Sequence, residues 1–224
     1  MIVNKYWSPN DLVLSQVESF CKLKDFDKIL EVGPGERPFI LANYFVDVVE
    51  RENSFQLDLD KDKFDLTDGY FDFAYTRHVF EDIQNPDFAF NELKRVSKFG
   101  FIETPSPLSE CANGVDIHGI YRGYIHHRYI IWNEDDTIHF LPKYPVIEKI
   151  SFNDTLIESY LEEPLYWNNY FLWDNNSKFV IYKNGFNFNI VSDYKDLLQR
   201  SIEKSIESTN KLFSINKPSN IKFL

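Results

Sequence analysis

Ile29-Leu30-Glu31-Val32-Gly33-Pro34-Gly35-Glu36 is the stretch on which the fold turns. Lys28 to Val32 reads as a short buried strand, and it runs straight into a pair of glycines. A glycine after a buried strand lets the main chain turn sharply and lets a ligand approach with no Cβ in the way. Glu31 is an acid in an apolar setting, where burial is expensive without a partner, and a cationic ligand group supplies one. Phosphate is a poorer occupant, because the turn has neither GxGxxG spacing nor a Walker lysine. Taken alone, Gly-Pro-Gly is equally well a plain tight turn.

Working outward, further strands are expected at 44–49, around 55–57, at 70–75 and at 101–104. Helices fall between them. One starts at Ser8-Pro9-Asn10-Asp11, with Ser8 as cap and Leu12, Val13, Val17 and Phe20 as its apolar stripe. Another starts at Asn85-Pro86, turns Phe88, Ala89, Leu93 and Val96 inward, and ends at Phe99-Gly100. The stretch 38–43 is short, so the helix between the first two strands is expected to be truncated. Strands alternating with helices predict an α/β fold with a mostly parallel central sheet flanked by helices. Its ligands belong at the carboxyl ends of the strands.

Beyond residue 106 the pattern changes. Residues 107–128 read as loop; 129–132 and 137–140 form a hairpin around Asn133-Glu134-Asp135-Asp136; 178–182 is a further strand. A last helix begins near Ser192, with Tyr194, Leu198, Ile202 and Ile206 four apart. That stripe is core packing, or in the alternative a dimer contact. The chain is therefore read as one domain over 1–224. Its parts are a cofactor-binding core at 27–106, a substrate cap at 107–190, and a C-terminal helix and tail at 191–224.

A net charge of −11 over 224 residues repels phosphate backbones and anionic lipid, so neither nucleic acid nor membrane is an expected partner. No apolar window is long enough to span a bilayer, and the N-terminus lacks a secretory core, which predicts a cytoplasmic protein. Cys21 and Cys111 form no CxxC pair, so neither disulfide nor cysteine-built zinc site is expected. Asp58-x-Asp60-x-Asp62 suggests a calcium loop, but Lys63 stands where glycine is needed and Gly69 where the bidentate glutamate is needed. No metal is expected.

Glu31, then Asp47 (or Glu50 in its place), then Asp58 follow three successive strands and set carboxylates along one sheet edge. Asp47 can accept both hydroxyls of a ribose, and Asp58 can accept from an adenine amino group. An adenosine cofactor needs that division of labour. The competing reading is a solvated acidic turn through Asp58, Asp60, Asp62 and Asp65.

With these residues in place the chain resembles the class I S-adenosylmethionine methyltransferases of the broad type 11 group. The likeness covers roughly 27–106 and is carried by four pieces. They are Leu30-Glu31-Val32-Gly33-Pro34-Gly35, Phe71-Asp72-Phe73, His78-Val79-Phe80-Glu81, and Arg95-Val96 through Gly100 to Ile102-Glu103-Thr104-Pro105. The resemblance implies a Rossmann-like fold with a decorated C-terminal half and S-adenosylmethionine as cofactor. It implies that Glu31, Gly33, Pro34 and Gly35 hold the methionine end, Asp47 the ribose, and Asp58 with Leu59 the adenine. Thr76 to Val79, including His78, would pass near the sulfonium. Arg37 replaces the usual third glycine, and Glu81-Asp82 replaces the usual Glu-His.

His118, His126, His127 and His139 lie in or beside the decorated half. His126 or His127 is a candidate general base in a substrate lid, an imidazole being suited to that work near neutrality. Structural roles in turns and strand ends, or a metal site, are the alternatives. His78 is the next candidate base. Arg122 and Arg128 can clamp an acidic group on the acceptor or pair with surface acids. Trp132, Trp167 and Trp173 with Tyr166 and Tyr170 are read as core, or else as a stacking wall for a sugar or aromatic ring. The expected activity is methyl transfer to a small-molecule, saccharide-type acceptor, with a homodimer as a further expectation. A non-catalytic relative and a nicotinamide-dependent oxidoreductase are the rival readings.

Overall fold

The computed structural model describes residues 9–50, 54–116, 119–183 and 192–224. In chain order the elements are α1 (Asp11–Leu23), β1 (Ile29–Val32), β2 (Tyr44–Asp47), β3 (Ser54–Gln56) and β4 (Phe71–Arg77). Then come α2 (Pro86–Val96), β5 (Ser97–Pro105), α3 (Pro107–Cys111), β6 (Tyr129–Glu134) and β7 (Thr137–Pro142). The chain finishes with α4 (Asp154–Leu161), β8 (Asn168–Asp174), β9 (Lys178–Ile181) and α5 (Ser192–Phe213). These elements fall into two compact units, one of residues 9–104 with 171–177, the other of residues 105–170 with 178–224.

The first unit holds the expected α/β sheet, in the order β3-β2-β1-β4-β5-β8. β1 runs parallel to both β2 and β4, β2 to β3, and β4 to β5. Every residue of β1 is buried, as a parallel strand covered on both faces requires. Asp72 fixes the entry to β1: its Oδ2 accepts the main-chain N–H groups of Asp27 and Lys28, each at 3.1 Å. Arg95 ties down the stretch before β4 by donating to the carbonyls of Phe64 and Leu66 and to Asp68.

Several expectations are corrected here. The α1 cap is Asn10, whose Oδ1 accepts from Leu12 and Val13; Ser8 lies outside the described residues. The buried stripe of α1 is Val13, Val17 and Cys21, and Leu12 faces outward. Between β1 and β2 there is no helix at all among the described residues, not even a truncated one. The connection from Gly33 to Asn43 is shorter than the dozen or so residues a helical crossover takes. Phe99 and Gly100 do not end α2, because Ser97 turns extended directly after Val96 and β5 begins there. Gly100 serves packing instead: a Cβ on it would stand 2.2 Å from the Trp173 ring of β8. β8 was not foreseen in the sequence.

In the second unit the expected hairpin forms, with β6 and β7 antiparallel from Tyr129↔Pro142 to Glu134↔Thr137. Its turn is only Asp135-Asp136, with Asp135 in the left-handed region at φ +48°. β9 joins β7 in parallel. The stretch read as loop contains α3, capped by Ser106, whose Oγ accepts the Ser109 N–H at 3.2 Å. Tyr194, Leu198, Ile202 and Ile206 of α5 are all buried in this unit's core beside Leu108, Ile130 and Trp132, so the stripe is core packing. Tyr166 and Trp167 belong to the same core, whereas Trp173 packs against Phe90 in the other unit. The aromatic cluster read from the sequence is thus shared between two cores.

Candidate functional site

At the carboxyl ends of β1, β2 and β4 the first unit opens into a cavity of about 270 Å³. The glycine turn supplies one wall with Val32 and Gly33, and β2 a second with Val46, Asp47 and Val48. Leu57, Asp58, Leu59 and Asp60 form a third, and His78, Val79, Asp82 and Ile83 close the fourth. Gly33, Asp47, Asp58, Leu59 and His78 were singled out from the sequence and meet here. Val79 belongs to the stretch expected near the sulfonium and joins them; Ile83 was not singled out, although it is the apolar lining such a cavity needs.

Each wall has a local cause. Gly33 takes φ +63° and its N–H donates to the Val46 carbonyl at 2.9 Å; a Cβ there would meet Val79 Cγ2 at 2.9 Å. Gly35 takes φ +42° with open space where a Cβ would stand. Bare main chain beside open space is what a ligand pressed against the turn requires. Asp47 ends β2, and its Oδ1 accepts the Val49 N–H at 3.1 Å, which fixes the carboxylate at the rim. Glu50 is not among the lining residues. Asp58 Oδ2 pairs with Lys61 at 2.9 Å, and that hydrogen bond holds its carboxyl below the usual carboxylate range. Asp60 holds the start of α2, with Oδ1 accepting the Asn85 N–H at 2.7 Å.

Glu31, Pro34, Gly35 and Thr76 do not line this cavity. Glu31 is buried and has a partner inside the chain: its Oε2 accepts the Phe39 N–H at 2.8 Å. Burial pushes its pKa up to about 7, against the pull of the Phe39 amide and the Arg77 charge. Thr76 is buried and donates to the Phe101 carbonyl at 3.2 Å. His78 is held in the left-handed region at φ +54°, with its N–H on the Glu103 carbonyl at 2.9 Å and its Nδ1 3.2 Å from Glu81 Oε1.

The remaining candidates sit in the second unit. His127 is buried, with Nδ1 2.6 Å from Glu110 Oε1, and Glu110 Oε2 takes Lys143 at 2.6 Å. His126 is exposed and lies edge-on to the His127 ring. His139 packs beside Trp132 and Tyr182, which also stack on each other, its Nδ1 lies 3.1 Å from the Tyr182 hydroxyl, and burial lowers its pKa. His118 lies outside the described residues. The Arg122 guanidinium is bound at 2.7 Å to both Asp154 and the Cys111 carbonyl and stacks over Phe152, the geometry of a structural ion pair. Arg128 is exposed. No described helix is long and apolar enough to cross a membrane.

Residues 41–100 match the family model described as a methyltransferase domain. The match begins just past the glycine turn and takes in β2 to β4, α2 and the start of β5. This segment is thus similar to a methyltransferase domain, and its parallel sheet has the Rossmann-like arrangement of that fold. The cofactor of such domains is S-adenosylmethionine.

No curated protein matches the chain. Among solved structures, an S-adenosylmethionine-dependent methyltransferase from Mesorhizobium loti is 17% identical, covering 44% of this chain and 59% of its own, with a TM-score of 0.33. One from Archaeoglobus fulgidus is 21% identical over 47% of this chain and 57% of its own, at 0.36. The N-terminal domain of EvdMO1, determined in the presence of S-adenosylhomocysteine and D-fucose, is 14% identical over 76% and 70%, at 0.33. The chain thus spans less than two thirds of the length of the first two. Similarity at this level fixes neither acceptor nor chemistry.

Proposed function

We propose that the chain binds S-adenosylmethionine in the cavity at the carboxyl ends of β1, β2 and β4 and transfers its methyl group to a small molecule. The observation that carries this reading is the convergence of Gly33, Asp47, Asp58 and Leu59 on one cavity. Asp47 at the end of β2 suits the two ribose hydroxyls, while Asp58 and Leu59 suit the amino group and flat face of adenine. The residues present fit the cofactor: an adenosine needs acids and an apolar face here, and the turn offers main chain with no side chain in the way. Glu31 acts at one remove, pinning the segment that follows the turn through Phe39.

The cofactor supplies a methyl group made electrophilic by a sulfonium. The chain's own residues position the acceptor, exclude water and take up the proton a hydroxyl or amine acceptor releases. His78 is the base proposed for this cavity, because it lines the wall beside Val79 in a fixed backbone conformation. His126 and His127 stay candidates for the same work, and Arg128 for contact with the acceptor. A net charge of −11 favours a neutral or cationic acceptor over a polyanion, and a saccharide-type compound is the class proposed. Action in the cytoplasm and a homodimeric state form part of the same proposal.

Calorimetric titration with S-adenosylhomocysteine, run beside NAD, tests the reading. Binding of the first and not of the second is expected. Preference for NAD would make the chain an oxidoreductase, and indifference to both would remove the cofactor assignment. Affinity for the cofactor with no turnover on any saccharide would favour a non-catalytic binding protein.

A further inference from the structure

We infer that Glu81 is a positioning residue for His78, fixing which ring nitrogen carries the proton at the cofactor cavity. The inference rests on the proposed reading of that cavity and adds a residue to it. Glu81 is buried, with 1% of its surface exposed, and sits three residues beyond His78 across a turn closed by Asp82 N–H to the Val79 carbonyl at 3.1 Å. A carboxyl in that position costs several kcal/mol unless a partner compensates. The contact found for it among the described residues is His78 Nδ1 to Oε1 at 3.2 Å, and its Oε2 has no hydrogen-bond partner there. No lysine or arginine pairs with it among the described ion pairs. An acid is kept buried at this cost where it serves something, and the group it touches lines the cavity.

The backbone supports the same conclusion. His78 is one of few non-glycine residues at positive φ, a conformation that costs free energy and persists where surrounding contacts over-determine it. Here the Glu103 carbonyl holds the His78 N–H at 2.9 Å on one side and Glu81 holds the ring on the other. The acceptance by Glu81 makes Nδ1 the protonated nitrogen and Nε2 the one bearing the lone pair. Asp47, Asp58, Asp60 and Asp82 face the same cavity and favour a cation forming in it. Nε2 is itself buried among the described residues, so the contact with Glu81 is what sets the tautomer of the ring in the cavity wall.

The test reads the ring directly. Protein labelled with ¹⁵N-histidine is examined by two-bond ¹H–¹⁵N correlation well above neutral pH, with His78 assigned by loss of its signals in His78→Gln. The wild-type ring is expected in the Nδ1–H form, Glu81→Gln is expected to keep it through its amide oxygen, and Glu81→Leu is expected to shift the pattern toward Nε2–H. A wild-type ring in the Nε2–H form, or an unchanged pattern in Glu81→Leu, overturns the inference. If Glu81→Leu does not fold, the wild-type pattern alone decides. Titration of S-adenosylhomocysteine into the same samples separates the two claims, since a protein that ignores the nucleoside refutes the cofactor reading whatever the tautomer.

Discussion

The Glu31 carboxylate is joined to the main-chain N–H of Phe39 at 2.8 Å, so the acid of the glycine turn secures the chain segment that follows the turn. Where a helical crossover is missing, this bond gives the connection from β1 to β2 a fixed point. Burial raises the Glu31 pKa to about 7 from 4.5, so the folded chain binds a proton that the unfolded chain releases between those values. The folded state is then favoured at low pH, and this stabilisation fades as pH rises through that window. Glu31→Gln keeps an oxygen for the Phe39 amide and has no charge to desolvate. The variant should match wild type near pH 4.5 and exceed it above pH 7 by at most about 3 kcal/mol. Urea unfolding across a pH series measures the difference, and parallel curves would refute the assignment.

Asp47→Ala should weaken S-adenosylhomocysteine binding by about 1.5–3 kcal/mol, the usual worth of hydrogen bonds to a charged group. Asp47 is half-buried at a strand end, so stability should change little. Asp58→Asn should cost less, because the Asp58 carboxylate is shared with Lys61. Calorimetry ranks the two, and an Asp47→Ala affinity equal to wild type removes the ribose assignment.

Gly33 and Gly35 should respond differently to the same change. An alanine at Gly33 meets Val79 Cγ2 at 2.9 Å as well as a strained φ, so it should lower stability by roughly 1–3 kcal/mol. At Gly35 the methyl enters open space, leaving only backbone strain of about 1 kcal/mol. Equal melting temperatures for the two variants would show that the turn's neighbourhood is not as described.

Much of this unit was legible in the sequence for a physical reason: its signals are local. Short apolar runs mark β1, β2 and β4, with Gly33 after β1 and Asp47 at the end of β2, and parallel pairing then brings Asp47, Asp58 and His78 to one end. What could not be read depends on long-range or loop geometry. β8 begins Asn168-Asn169 and pairs with a strand some seventy residues earlier, so no local pattern announces it. The partner of Glu31 was expected to be a ligand cation, yet it is a main-chain amide that the loop folds back to present. Glu81 carried a family likeness but no role until the turn placed it against His78. Gly100 resembled a helix stop, and only the Trp173 ring above it explains the residue. Gly100→Ala should therefore lower stability by about 2–4 kcal/mol, as overpacking against a rigid ring does. Trp173→Leu in the same chain should recover part of that loss.

Glu110 gives the second unit a charge centre that can be tested alone. It is buried with 1% exposed, between His127 Nδ1 and Lys143 Nζ, each 2.6 Å from one of its oxygens. Gly123 lies so close that a Cβ on it would be 2.6 Å from the Glu110 Cα, so the site has no room to rearrange. Burial by itself would raise the Glu110 pKa, but the charges of Lys143 and His127 outweigh it and bring the value to about 2, from 4.5. The stabilisation is then complete above pH 4.5 and is lost as pH falls toward 2. Glu110→Gln leaves Lys143 buried opposite a neutral amide and should cost about 3–5 kcal/mol near neutral pH. That deficit should shrink on acidification, because wild type loses the same interaction when Glu110 protonates. Tryptophan fluorescence reads the transition, since Trp132 and Trp167 sit in this unit's core. A deficit that stays constant down to about pH 2 would mean that Glu110 matters here for its shape and not for its charge.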